Sequence, residues 1–175
     1  MSTAEPILHY ISDATFLADV RTVAQQVANA DWQPDFVVGI GRGGLVPAVY
    51  LSHLLALPML SIDHSARVPG FADELLAKLA AKSATGARLL FVDDINDSGG
   101  TIDYIRTLLI ANACDGDNLR FAVLLTNTHS KVSVEYWSQT IDRHEDKRWF
   151  VFPWEAVGSN AAIVDEALSV PERLA

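Results

Sequence analysis

The chain has 175 residues, of which 50% are hydrophobic and 20% are charged, a composition typical of one globular domain with a full core. Its formal net charge of −9 argues against a protein that binds nucleic acid. No apolar run approaches the ~20 residues that span a bilayer, and the first residues lack a secretory pattern, so we expect a cytoplasmic protein with no membrane partner. Cys114 is the only cysteine, which excludes an internal disulfide.

Helix and strand patterns alternate along the first two-thirds of the chain. Apolar residues at helical spacing predict amphipathic helices, and short apolar runs rich in valine and isoleucine predict buried strands. In chain order the prediction is helix 12–30, strand 35–40, helix 45–56, strand 58–62, helix 71–82, strand 88–92, helix 100–113 and strand 119–125. This alternation predicts an α/β fold with a parallel sheet flanked by helices.

The pattern changes after Asn127. Short aromatic strand-like segments at 132–138 and 149–152 are separated by a polar stretch, 142–148, and a last helix is predicted at 160–168. We interpret the chain as a single domain with a core at about 11–127 and a small C-terminal hood at about 128–175.

The first candidate site is the glycine-rich segment that follows strand 35–40. Gly41, Gly43 and Gly44 would let the backbone approach an anion closely at the start of a helix. The segment from Gly39 also matches G-x-G-x-x-G, and Asp63 follows about twenty residues later, so a dinucleotide-binding site is an alternative. A tight turn that binds no ligand is another. Against the dinucleotide, Gly39 sits inside the strand and the bulky Arg42 stands where such loops keep something small.

The second candidate site follows strand 88–92. Asp93 and Asp94 emerge together from a buried strand, where two carboxylates are costly unless a cation or hydroxyl groups engage them. Small and hydroxylated residues then open a helix and suit a phosphate monoester; they are Ser98, Gly99, Gly100 and Thr101. Asp97 stands between the two features. The segment therefore predicts a metal or ribose-hydroxyl site beside a phosphate cradle, the alternative being a capped turn with solvated acids.

These segments resemble the type I phosphoribosyltransferases. Residues 92–101 resemble that family's diphosphoribose-binding signature, and residues 41–48 are similar to its pyrophosphate loop. Residues 149–155 are similar to the closing segment of the xanthine–guanine and hypoxanthine branch. The resemblance implies purine salvage: the 5-phosphoribosyl group of 5-phosphoribosyl 1-diphosphate passes to a purine base, giving a nucleoside 5′-monophosphate and pyrophosphate. It also implies a Mg²⁺ cofactor and a homodimer or homotetramer.

The resemblance assigns a role to each site residue. Arg42 and Gly43, within Gly41–Gly44, would hold pyrophosphate, and Asp93 and Asp94 would face the ribose hydroxyls and Mg²⁺. Asp97 would exchange a proton with the purine ring, and the 5′-phosphate would bind to Ser98, Gly99, Gly100 and Thr101. Trp149 would stack on the base, and Phe150 would contribute backbone contacts.

The sequence departs from the purine branch in two places. That branch usually has a lysine after strand 119–125 that donates to the 6-oxo group, whereas Asn127 stands here, with Lys131 farther on. The loop 63–70, which would close over the site, lacks the usual Ser-Tyr pair. We therefore expect a 6-oxopurine held by a weaker contact, and leave open whether the preferred base is hypoxanthine, guanine, xanthine or another base.

A second class of function is a regulator that kept the fold and senses phosphoribosyl diphosphate or nucleotides without catalysis. The presence of Asp93, Asp94, Asp97 and Trp149 favours the enzyme over this alternative.

Overall fold

The computed structural model describes residues 5–63 and 71–170 and confirms a parallel α/β fold. The strands are β1 (Leu8–Tyr10), β2 (Phe36–Ile40), β3 (Met59–Ile62), β4 (Leu89–Asn96), β5 (Leu119–Asn127), β6 (Tyr136–Ile141) and β7 (Trp149–Val151). The helices are α1 (Asp13–Ala28), α2 (Gly41–Leu55), α3 (Phe71–Ala84), α4 (Gly100–Ala111) and α5 (Asn160–Leu168). The main sheet has the order β3-β2-β4-β5-β6, and all of its strand pairs are parallel.

Particular residues determine where helices α1 and α2 begin. Ser12 caps α1, its hydroxyl accepting a hydrogen bond from Thr15 N at 3.1 Å, as expected for a serine at that position. Helix α2 begins at Gly41, four residues before the predicted start, so the glycine-rich segment is the first turn of the helix and not a separate loop. The positive φ of Gly41, 52°, turns the chain from β2 into this helix.

Strand β4 is longer than predicted. It continues to Asn96 instead of ending at residue 92, because its register with β5 persists through Asp93↔Val123 and Asn96↔Thr126. Asp93 and Asp94 therefore lie on the strand itself and do not follow it.

A separate hydrophobic cluster covers each face of the main sheet. Alternation along β4 divides its apolar side chains, so that Leu90 and Val92 pack with α1 and α2 while Leu89 and Phe91 pack with α3 and α4. Phe91 stacks on Phe121 at 5.1 Å between ring centroids. With both faces covered, the carboxyl ends of the strands are the exposed edge where a site can form.

The segment after residue 127 divides differently from the prediction. Strand β6 pairs in parallel with β5, from Ala122↔Tyr136 to Asn127↔Ile141, and so belongs to the main sheet. The hood consists of β7, which pairs with β1, and of α5. The predicted boundary at residues 127 and 128 thus does not coincide with the division between the two sheets, and β1 precedes the predicted core. Most of the predicted loop 63–70 lies outside the described residues.

Among residues 5–63 and 71–170, no helix has both the length and the apolarity needed to cross a bilayer.

Candidate active site

The first glycine-rich turn packs directly on the acidic end of β4. A Cβ added to Gly44 would overlap the carbonyl oxygen of Val92, and one added to Gly43 would overlap the carboxylate of Asp94. Close approach of the two backbones therefore requires a glycine at 44, whereas Gly43 lies against the Asp94 side chain. This packing brings the predicted pyrophosphate segment against the predicted metal-binding acid. The side chain of Arg42 points to the surface, where its guanidinium lies 3.5 Å from Glu166.

Replacing Gly44 with alanine should destabilise the protein. The new methyl group would collide with backbone, which cannot move without separating α2 from β4, and overpacking of this kind costs about 1–3 kcal/mol. Urea unfolding measures the loss. Gly116→Ala is the matched control, because nothing lies within 4 Å of its added Cβ. Equal stability of the two variants would show that α2 does not sit this close to β4.

A third carboxyl group lies near the acidic pair. Asp94 N donates to Asp93 Oδ1 at 3.0 Å, and Phe152 N donates to Glu155 Oε2 at 2.9 Å. Burial, followed by the charge of Asp94, raises the pKa of Glu155 to about 7. Sequence reasoning missed Glu155, whose only signal was its place at the end of the closing segment. Carboxylate oxygens are the ligands that Mg²⁺ prefers, so Asp93 and Asp94 suit this ion, whose charge would also relieve the repulsion at Glu155.

Glu155→Gln should stabilise the metal-free protein in a pH-dependent way. Because the folded pKa of Glu155, about 7, exceeds its ordinary 4.5, the folded state binds more protons between these values and loses stability as pH rises through them. Glutamine stays neutral, so the variant should gain up to about 3 kcal/mol at about pH 8 and almost nothing at about pH 4. Urea unfolding in chelator measures both. Glu74→Gln, on an exposed residue, is the control; a gain that is the same at both pH values would contradict the raised pKa.

The predicted phosphate cradle forms the start of α4. Gly99 has a positive φ of 86°, and Gly100 N donates to Ser98 Oγ at 3.3 Å. A Cβ on Gly99 would lie 2.7 Å from Val132 Cγ2 and 2.8 Å from Ser130 Oγ, so the turn packs on the loop after β5. Residues 95–102 line a concavity here. The arrangement is a helix start with small residues, suited to a phosphate group.

Asp97 forms a buried ion pair with Arg143. Arg143 Nε lies 3.1 Å from both carboxylate oxygens, and Nη2 donates to Oδ2 at 2.8 Å. The remaining nitrogen, Nη1, donates to the carbonyls of Arg148 at 2.6 Å and Asp146 at 3.3 Å. Arg143 thereby fixes Asp97 and ties it to the segment before β7. Sequence reasoning missed Arg143, since it is one charge among many in a polar stretch.

The side chain of Asn127 links Asp97, His129 and Arg143 through hydrogen bonds to their backbones. Its Nδ2 donates to the carbonyl of Asp97 at 3.1 Å, and its Oδ1 accepts from His129 N at 3.1 Å and from Arg143 N at 3.3 Å. The side chain is buried, with 8% of its surface exposed. One N–H of this amide is bound to Asp97, so the hydrogen bond to a base that the sequence predicts would come from the second N–H.

The two aromatic residues of β7 point in opposite directions. Trp149 and Val151 are buried in the hood cluster against Ile163, whereas Phe150, between them, is half-buried on the other face. The Phe150 ring lies 5.1 Å from the guanidinium carbon of Arg143. Phe150 and Asp97 thus contact the same guanidinium, which places an aromatic ring near the candidate proton-exchanging group.

Comparison with known proteins decides the family. The model of the phosphoribosyl transferase domain matches residues 11–157 of this chain. The chain belongs to this family. It is therefore a transferase of the phosphoribosyltransferase class, and the matched range includes both glycine-rich turns and the closing segment.

The chain is similar to three proteins that are named as phosphoribosyltransferases. It is 29% identical over 141 residues, which are 77% of this chain and 76% of the relative, to a xanthine-guanine phosphoribosyltransferase of Cereibacter sphaeroides. It is similar in structure to a purine phosphoribosyltransferase from Pyrococcus horikoshii, with a TM-score of 0.64, 24% identity and coverage of 84% and 93% of the two chains. It is also similar in structure to a Helicobacter pylori xanthine-guanine-hypoxanthine phosphoribosyltransferase, with a TM-score of 0.62 and 25% identity. That match covers 85% of this chain and 94% of the other.

Proposed function

We propose that this phosphoribosyltransferase transfers the 5-phosphoribosyl group of 5-phosphoribosyl 1-diphosphate to a 6-oxopurine. The observation that carries the proposal is the continuous segment from Asp93 to Thr101. It brings two acids, the paired Asp97 and a helix start of small residues to one strand end. The purine relatives from Cereibacter and Helicobacter support the choice of base.

Different segments of the chain bind different parts of the substrate. The amides of residues 98–101 hold the 5′-phosphate at the positive end of α4, and the turn Gly41–Gly44 holds the pyrophosphate. Asp93 and Asp94 face the ribose hydroxyls and would hold Mg²⁺. The ion, when bound, neutralises charge on the departing pyrophosphate. The carboxylates also favour the positive charge that develops on the ribose carbon in the transition state.

Asp97 exchanges the proton at the purine ring, and Arg143 positions it. A carboxylate has about four lone-pair directions, so Asp97 can accept a purine N–H while it remains bound to Arg143. The ion pair fixes the carboxylate before the base arrives, and the chain then needs no rotamer change at that point. Phe150 offers its ring to the flat face of the base beside the same arginine.

Binding of phosphoribosyl diphosphate should depend on a divalent cation. The Asp93–Asp94 pair stands against the anion-binding turn, and without a cation it repels a bare diphosphate. Calorimetry with Mg²⁺ and with chelator measures the difference, and we expect weaker binding of phosphoribosyl diphosphate in chelator.

Two comparisons keep this test specific. In Mg²⁺ the Asp93→Asn/Asp94→Asn variant should bind phosphoribosyl diphosphate more weakly than the wild-type chain does. In chelator the affinities of the variant and the wild-type chain should differ less. Nicotinamide dinucleotide should not compete. Equal affinity with and without Mg²⁺ would contradict the metal-bridged site, and tight dinucleotide binding would support the alternative use of the first glycine-rich turn.

A further inference from the structure

Two histidines and an aspartate meet at the carboxyl ends of β5 and β6. The ligand atoms of His129, Asp142 and His144 all lie within 4.8 Å of one another. His129 Nε2 is 3.2 Å from Asp142 Oδ1, and the two imidazole rings are parallel, with centroids 3.9 Å apart. These three residues, here called the histidine cluster, have no place in the proposed transfer reaction.

The backbone holds the histidine cluster in position. Thr128 N donates to the carbonyl of Ile141 at 2.9 Å, which joins the ends of β5 and β6 just before the cluster. His144 N donates to Asp142 Oδ1 at 2.8 Å, which fixes the aspartate side chain. Asn127 Oδ1 also accepts from His129 N. The three residues are thus brought together by two joined loops.

The donor set favours a particular class of ion. Imidazole nitrogen suits zinc and neighbouring transition metals, whereas Mg²⁺ and Ca²⁺ take oxygen ligands. Tetrahedral zinc bonds of about 2.0–2.1 Å place ligand atoms roughly 3.4 Å apart, so the side chains must close by about 1 Å. The two stacked imidazole rings must also rotate so that their nitrogen lone pairs converge on the ion. They have room to do so, because 46% of the His129 side chain and 40% of that of Asp142 are exposed. The same exposure leaves a fourth position for water or a ligand.

We propose that the histidine cluster binds one Zn²⁺ ion through His129, Asp142 and His144, at a site separate from the Mg²⁺ site at Asp93 and Asp94. The site lies beside the transfer machinery, since Arg143 is flanked by two of its ligands and holds Asp97. Zinc would therefore stiffen the loop that carries Arg143. This proposal does not depend on the proposed transfer reaction.

Calorimetric titration of the untagged full chain with zinc chloride, in excess Mg²⁺, tests the proposal. We expect one zinc per chain, and a loss of affinity of at least about tenfold in His129→Gln and in His144→Gln. His53→Gln is the matched control, an exposed histidine on α2 that should leave zinc binding unchanged. Asp93→Asn/Asp94→Asn should also retain it.

A second measurement, on the wild-type chain, tests the proposal even if a cluster variant folds poorly. Co²⁺ added to the wild-type chain should give visible absorption bands that Zn²⁺ removes stoichiometrically and that both cluster variants lack. Absence of zinc binding by the wild-type chain, or zinc binding that survives in both cluster variants, would overturn the proposal. So would binding that disappears in the Asp93→Asn/Asp94→Asn variant while the cluster variants keep it.

Discussion

Replacing Asp97 with asparagine is expected to lower kcat for phosphoribosyl transfer by ~10²–10⁴-fold, the scale of general acid–base catalysis. Asparagine retains the size of the side chain but cannot take up the purine proton. Binding of phosphoribosyl diphosphate should change little, because residues 98–101 make that contact through α4. Steady-state kinetics and calorimetry measure the two quantities separately.

The ion pair complicates this variant, and a double-mutant cycle separates the two effects. Asp97→Asn leaves Arg143 buried without its partner charge, which costs about 3–5 kcal/mol of stability. Arg143→Gln and the double variant complete the cycle, and the double variant should recover part of the stability because both charges are gone. If Asp97 exchanges the proton, the double variant stays slow. A double variant with near wild-type kcat would show that Asp97 serves only to neutralise Arg143.

Replacing Phe150 with alanine is expected to raise KM for every purine by roughly 5- to 150-fold, the equivalent of about 1–3 kcal/mol of stacking. The effect should be similar for hypoxanthine, guanine, xanthine and adenine, since each has a flat face. KM for each base, measured at saturating phosphoribosyl diphosphate, gives the comparison.

Trp149→Phe is the matched control for the Phe150 variant. It keeps an aromatic side chain but leaves space among Val151 and Ile163 in the hood cluster, so it should lower the free energy of unfolding and change KM little. The opposite pattern, with purine KM raised by Trp149→Phe and not by Phe150→Ala, would show that Trp149 stacks on the base as the sequence resemblance implies.

The sequence predicted those parts of the molecule that local pattern determines. The predicted limits of the last helix, 160–168, are those of α5, because Ser159 supplies an N-cap and the apolar spacing is regular. The α/β class followed from alternating apolar runs, and both glycine-rich turns do lie at strand ends. These features depend on residues close together in the chain.

Contacts between residues far apart in the chain could not be predicted from local sequence patterns. Strand β6 is predicted too early because Val132 and Val134 look like strand residues, whereas they pack on the cluster that includes Val123 without joining the sheet. The role of Arg143 depends on a partner 46 positions away.

The direction of Trp149 depends on the register of β7 with β1, where Leu8 pairs with Trp149. No local signal sets that register.

Product analysis tests directly whether the chain transfers a phosphoribosyl group to a 6-oxopurine. The chain is incubated with phosphoribosyl diphosphate and, in turn, hypoxanthine, guanine, xanthine and adenine, with Mg²⁺ or with chelator, and nucleoside 5′-monophosphate and pyrophosphate are quantified by chromatography. We expect equal amounts of the two products with at least one 6-oxopurine, little with adenine, and none in chelator. Binding of phosphoribosyl diphosphate without product from any of the four bases would contradict this expectation and favour a sensor that kept the fold.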